Sequence, residues 1–99
     1  MKITSLWKHG GNLFVIISYD VEEKRVAKIH KILKKYLIWT QNSVFEGEIT
    51  EGQLKQCMAE IATKANKQYD SIYIYRVNNP NHIKKIVYGV EKDFGSIFL

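Results

Sequence analysis

A chain of 99 residues has room for one hydrophobic core, and 45% apolar with 25% charged residues excludes a disordered protein. Fifteen Lys and Arg against ten Asp and Glu leave a net charge of +5, a balance that favours polyanionic partners. The one cysteine, Cys57, excludes an internal disulfide, and no stretch approaches the ~20 apolar residues of a membrane span. With no apolar segment of signal-peptide length at the start, a reducing, cytoplasmic setting is expected.

Residues 1–12 read as an extension closed by Gly10-Gly11-Asn12, and the domain proper as 13–99. Leu13 to Tyr19 is a nearly continuous apolar run rich in β-branched residues, the pattern of a strand buried on both faces, and it ends at Asp20. From Glu22 to Leu37 the period changes. Val26, Ile29, Leu33 and Tyr36 recur at helical spacing, acids open the segment, and lysines close it, matching the helix dipole.

Gln41 to Ile49 alternates polar and apolar residues and predicts a strand. Thr50 with Gln53 forms a capping-box pattern that opens a second helix, whose core stripe is Leu54, Cys57, Met58, Ile61 and Ala65. Asp70 to Val77 predicts a further strand. After the turn signal Asn78-Asn79-Pro80-Asn81 comes a last strand over Ile83–Val90, then an apolar tail, Ser96 to Leu99. We read this as an α+β fold of the ferredoxin-like β-α-β-β-α-β kind, two helices on one face of an antiparallel sheet. The short Asn-Asn-Pro-Asn loop sits badly with that topology, because it pairs the last two strands directly.

Asp20 is the candidate for chemistry. A carboxylate at the end of a buried strand stands on a rigid support, and hard cations such as Mg²⁺ take one or two protein carboxylates plus water. The competing reading is a helix cap for the segment that starts near Glu22. One carboxylate makes a poor metal site by itself, so catalysis would need a two-fold dimer that brings two copies of Asp20 together. Lys24, Arg25, Lys28, Lys31 and Lys35 make a basic helix stripe suited to phosphates, and equally to a solvated helix face. Tyr73 and Tyr75 share one strand face, as stacking platforms do, although sheet packing explains such a pair as well. His9, His30 and His82 have no metal-ligand spacing, and there is no glycine-rich phosphate loop.

Tyr19-Asp20-Val21, the basic helix with Lys24-Arg25-Val26, and above all QNSVFEG at Gln41 to Gly47 resemble the CRISPR-associated Cas-two family over about Leu13 to Leu99. The resemblance implies a homodimer in which the C-terminal strand pairs with the partner protomer. It also implies a Mg²⁺ or Mn²⁺ site at the dimer interface, with Asp20 from each chain. The family's other functional positions fall on Tyr19, Arg25 and Phe45, and less directly on Ser43. The implied activity is metal-dependent endonuclease cleavage of single-stranded RNA or duplex DNA. The implied cellular role is to bind duplex DNA and bridge the Cas-one integrase during spacer acquisition. The alternative of another class is a ferredoxin-like regulatory module binding a small ligand at a dimer interface.

Overall fold

The computed structural model describes residues 12–79 and 82–91. The predicted extension, the tip of the Asn-Asn-Pro-Asn turn and the Ser96–Leu99 tail lie outside them. Chain order is β1 (Asn12–Asp20), α1 (Glu23–Lys34), β2 (Ile38–Gln41), β3 (Val44–Thr50), α2 (Glu51–Lys64), β4 (Ser71–Asn79) and β5 (His82–Gly89). The strands form one antiparallel sheet in the order β2-β3-β1-β4-β5. The first four strands have the ferredoxin-like order, and β5 extends the sheet beyond β4 as an extra C-terminal strand.

The strand that the sequence reading lacked is β2. The predicted first helix stops at Lys34 rather than Leu37, and Ile38–Gln41 forms an exposed edge strand. The expected strand Gln41–Ile49 is therefore split: Gln41 ends β2, and β3 starts at Val44 after a turn in which Asn42 adopts φ 46°. Asn tolerates that left-handed conformation better than most side chains. With β2 in place the topological difficulty disappears, because the segment after Asn79 is a fifth strand and not the fourth. It pairs with β4 of its own chain.

Side chains of β1 alternate. Leu13, Val15, Ile17 and Tyr19 are buried on the helix-covered face, whereas Phe14, Ile16, Ser18 and Asp20 are half-buried on the other. The strand predicted to be buried on both faces thus has only one face in the core. Ile17 sits between Phe45 of β3 and Ile74 of β4 in the register, and α1 adds Ile29 and Leu33 to the same core. The capping box of α2 forms as expected: Thr50 Oγ1 accepts from the Gln53 amide, and the Gln53 side chain accepts from the Thr50 amide. Leu54, Cys57 and Ile61 are buried, with Met58 and Ala65 packed against them. Burial pushes the Cys57 thiol up to about 12, so Cys57 serves as a small apolar core residue.

One polar cluster is built into this core. Asp70 has no exposed surface and accepts four hydrogen bonds: Arg25 Nε (2.5 Å), Arg25 Nη2 (2.8 Å), the Glu22 amide (3.0 Å) and the Asn66 amide (2.7 Å). Arg25 also donates to Glu22 Oε1 at 2.8 Å. The N-cap of α1 is Glu22, and its side chain makes no capping bond. The Asp70 carboxylate, reaching across from the loop after α2, instead satisfies the Glu22 amide. The Asp20 cap reading is thereby corrected: Asp20 lies within β1, before the cap position. The Arg25 guanidinium, with the two amides, holds the Asp70 carboxyl down at about 2.

Two predictions follow from this corner of the molecule. Gly89 has φ 101°, and a Cβ there would land inside the van der Waals shell of the Asp70 carbonyl oxygen. Gly89→Ala should therefore cost at least about 2 kcal/mol, read as a lowered midpoint in thermal unfolding; an unchanged midpoint would contradict the packing. For Asp70, the folded carboxyl near 2 lies below its ordinary value of 3.8. Its contribution is whole above that ordinary value and is lost as pH falls towards 2. Asp70→Asn should lower stability by about 3 kcal/mol at neutral pH, and its deficit against the native chain should shrink below pH 4. Urea midpoints measured across that window check this, and a deficit independent of pH would refute it.

Candidate functional site

The end of β1 and the β2–β3 turn enclose a groove of about 740 Å³ on the sheet face away from the helices. Ser18, Asp20, Gln41, Asn42, Ser43 and Glu46 are among its lining residues. The pleat decides which side chains reach it. Asp20 follows Ser18 and Ile16 on this face, opposite Ser71 of β4, while Val44 and Glu46 arrive from β3. The backbone bond from the Tyr19 amide to the Ser43 carbonyl (3.1 Å) draws the turn towards the end of β1.

Tyr19, Asp20, Arg25 and Phe45 do not gather round one point. Tyr19 is adjacent to Asp20 and therefore points to the opposite face, where it is buried. Its ring lies 6.4 Å from that of Phe45, and its hydroxyl is 3.5 Å from His30 Nδ1. Burial raises the Tyr19 pKa. Phe45 of β3 is fully buried on the helix-covered face beside β1, with its ring 5.0 Å from that of His30. Arg25 is engaged with Asp70. Asp20 alone of the four carries its functional group on the groove side, and the other three shape the ground it stands on.

The donor set suits a hard cation. The side chains of Asp20, Gln41, Asn42, Ser43 and Glu46 all offer oxygen. Register puts Glu46 four residues from the level of Asp20, about 13 Å along the strands, too far for both to hold one ion. Among the described residues no group of three or more His, Cys, Asp or Glu is placed to hold a metal. A Mg²⁺ held by Asp20 would thus keep several waters or take a further carboxylate from outside the protomer.

Lys24, Lys28, Lys31 and Lys35 are all exposed on the outer side of α1, and Arg25 is not part of that face. Lys35 is paired with Glu60 at 2.5 Å, and Tyr36 donates to the same carboxylate. Tyr73 and Tyr75 share the groove side of the sheet, as their spacing predicts, but Tyr73 is only 2% exposed. The sequence reading missed two features. Sequence patterning places Asp70 at the start of a strand, and it does not mark Trp39, which lies in β2 and is 52% exposed. A signal for the first was available: Arg25 shares the helical phase of Ile29, Ile32 and Tyr36 rather than that of the lysines. No helix among the described residues is long and apolar enough to cross a membrane.

Comparison with known proteins gives this geometry a family. The chain is 50% identical over 80 residues to the CRISPR-associated endoribonuclease Cas2 3 of Thermodesulfovibrio yellowstonii, covering 81% of this chain and 91% of that protein. It is 42% identical over 87 residues to the CRISPR-associated endoribonuclease Cas2 of Thermotoga maritima, covering 87% of this chain and all of the relative. A solved crystal structure of Cas2 superposes with a TM-score of 0.65 at 39% identity, covering 83% of this chain and 92% of the other. A Thermus thermophilus protein, TT1823, shares the fold with a TM-score of 0.59 at 22% identity, covering 83% and 85%. The family model described as CRISPR associated protein Cas2 matches residues 13–85, and the chain belongs to that family.

Proposed function

We propose that the chain is a divalent-metal-dependent endoribonuclease of a CRISPR system, whose active centre is completed by a second copy of itself. The observation that carries this reading is the placement of Asp20: a carboxylate at the end of a central strand, on the sheet face away from the helices, in a groove lined with oxygen donors. A single carboxylate holds a divalent cation weakly, and a two-fold axis beside Asp20 would supply a second one without any further sequence. The relatives' names as endoribonucleases agree with that chemistry.

The protein's own residues divide the work. Asp20 from each protomer would hold the cation, Mg²⁺ or Mn²⁺. The cation would neutralise charge on the scissile phosphate and make its water a better nucleophile. Ser43 and Asn42, on the tight β2–β3 turn, border the same groove and orient the phosphodiester or its attacking water by hydrogen bonds. Tyr19 and Phe45 act from below, by fixing the pleat that aims Asp20 away from the core. Arg25 acts through Asp70, by fixing where β1 gives way to α1.

A second role is favoured by a different observation, the exposed lysines 24, 28 and 31 on α1. They suit a duplex-DNA backbone, and with it an adaptor that bridges the Cas-one integrase during spacer acquisition. Both roles use the same homodimer. One assay separates them. The native chain and Asp20→Ala are offered single-stranded RNA and duplex DNA, in Mg²⁺ or EDTA, with the molecular mass followed by light scattering. The nuclease reading predicts cleavage that EDTA abolishes and that falls at least about a hundredfold in Asp20→Ala, the dimer persisting. Salt-sensitive duplex binding without cleavage would leave the adaptor role and overturn the nuclease.

A further inference from the structure

Trp39 lies on the edge strand β2, on the helix side of the sheet, and over half of it is exposed. A large aromatic at that exposure ordinarily samples several rotamers, but this one is held at two points. Its indole Nε1 donates to the Asn42 carbonyl oxygen at 2.8 Å, across the β2–β3 turn. Its ring meets the His30 ring edge-on, with centroids 5.1 Å apart and planes at 76°. His30 is itself backed by the fully buried Phe45. The indole is therefore an oriented, solvent-facing plate, and little rotamer freedom is left to lose when something stacks on it.

The surroundings of the plate select its ligand. His30 also lines a shallow groove along α1 with Val26, Lys31, Lys34 and, at the start of the helix, Glu23. Both lysines are exposed, and Lys28 continues the same positive face. An oriented aromatic next to a row of cations is the combination by which proteins grip unpaired nucleotides: phosphates follow the cations, and a base stacks on the ring. A duplex offers its phosphates to the lysines but keeps its bases stacked on one another, so it gains nothing from the indole.

We infer that Trp39 is a base-stacking site for single-stranded RNA, and that with Lys31 and Lys34 it makes the chain prefer unpaired strands to duplexes. The inference rests on the nucleic-acid reading above and adds to it a determinant of strand type, away from the Asp20 groove. A protein partner on the Ile38–Trp39 edge is the competing occupant. The basic surroundings argue for the polyanion.

The test is binding of oligoadenylate and of a blunt duplex in EDTA, so that no strand is cut, by the native chain, Trp39→Ala and Trp39→Phe. Stacking predicts that Trp39→Ala weakens oligoadenylate binding by about 5- to 100-fold, leaves duplex affinity in place, and is largely rescued by Trp39→Phe. In a Trp7→Phe background Trp39 is the sole tryptophan. Its fluorescence should be quenched by oligoadenylate and not by duplex, a readout that does not depend on the alanine variant folding. Equal RNA binding by native chain and Trp39→Ala, or an unquenched indole in the RNA complex, would overturn the inference and leave the nuclease reading intact. A change in molecular mass in Trp39→Ala with RNA affinity unchanged would assign the edge to a protein partner and likewise overturn it. Failure of the native chain to bind either nucleic acid would bring down the underlying reading itself.

Discussion

The buried carboxylate of Asp70 is the constraint on which the working end of this molecule depends. Removed from water, it requires donors, and it finds them in Arg25 and in the amides of Glu22 and Asn66. These donors belong to the turn after β1, the first turn of α1 and the loop after α2, so one side chain ties together two crossovers that are far apart in sequence. A buried ion pair of this kind adds little stability compared with an apolar substitute of the same shape, but it is unforgiving of displacement. It thereby sets the point at which β1 ends. Gly89 at the end of β5 and Val90 just after it close the same corner, the Val90 amide donating to the Asp70 carbonyl at 3.1 Å.

With the strand end fixed, the pleat does the rest. Successive residues of β1 face opposite ways, which commits Tyr19 to the core beside His30 and Phe45 and commits Asp20 to the face away from the helices. Residues that stand close together in the sequence are thus, in three dimensions, one half-buried carboxylate on the groove side with a structural foundation behind it. In this division Tyr19 and Phe45 pack in the core and Arg25 is engaged with Asp70, so none of the three reaches into the groove with its functional group. The end of β1 thus presents one carboxylate to the groove, which is why the proposed chemistry is shared between two protomers.

The fold was legible wherever burial imposed a strong period. Leu13–Tyr19 and the Thr50–Gln53 box announced β1 and α2 directly, because both depend on local chemistry or on one deep core. The strand β2 was hidden because all four of its residues are exposed, so that no alternation marks them, and because Tyr36 and Leu37 continue the helical phase of α1 up to its start. Its turn carries Asn42-Ser43 rather than the Asn-Gly that signals a hairpin. Missing β2 concealed both the true strand count and Trp39. Asp20 was legible from its place at the end of an apolar run. The Asp70–Arg25 pair was not, since its members are 45 residues apart, and Arg25 was grouped by charge with lysines whose helical phase it does not share.

The central claim is that one active centre takes an Asp20 from each of two copies. It is tested most directly by mixing native chain with Asp20→Ala in varied proportion, unfolding and refolding them together so that subunits exchange, and measuring Mg²⁺-dependent RNA cleavage. A shared centre predicts that activity falls as the square of the native fraction, because mixed dimers are inactive. Activity that falls in direct proportion to the native fraction would mean that each protomer works alone, and would contradict the account.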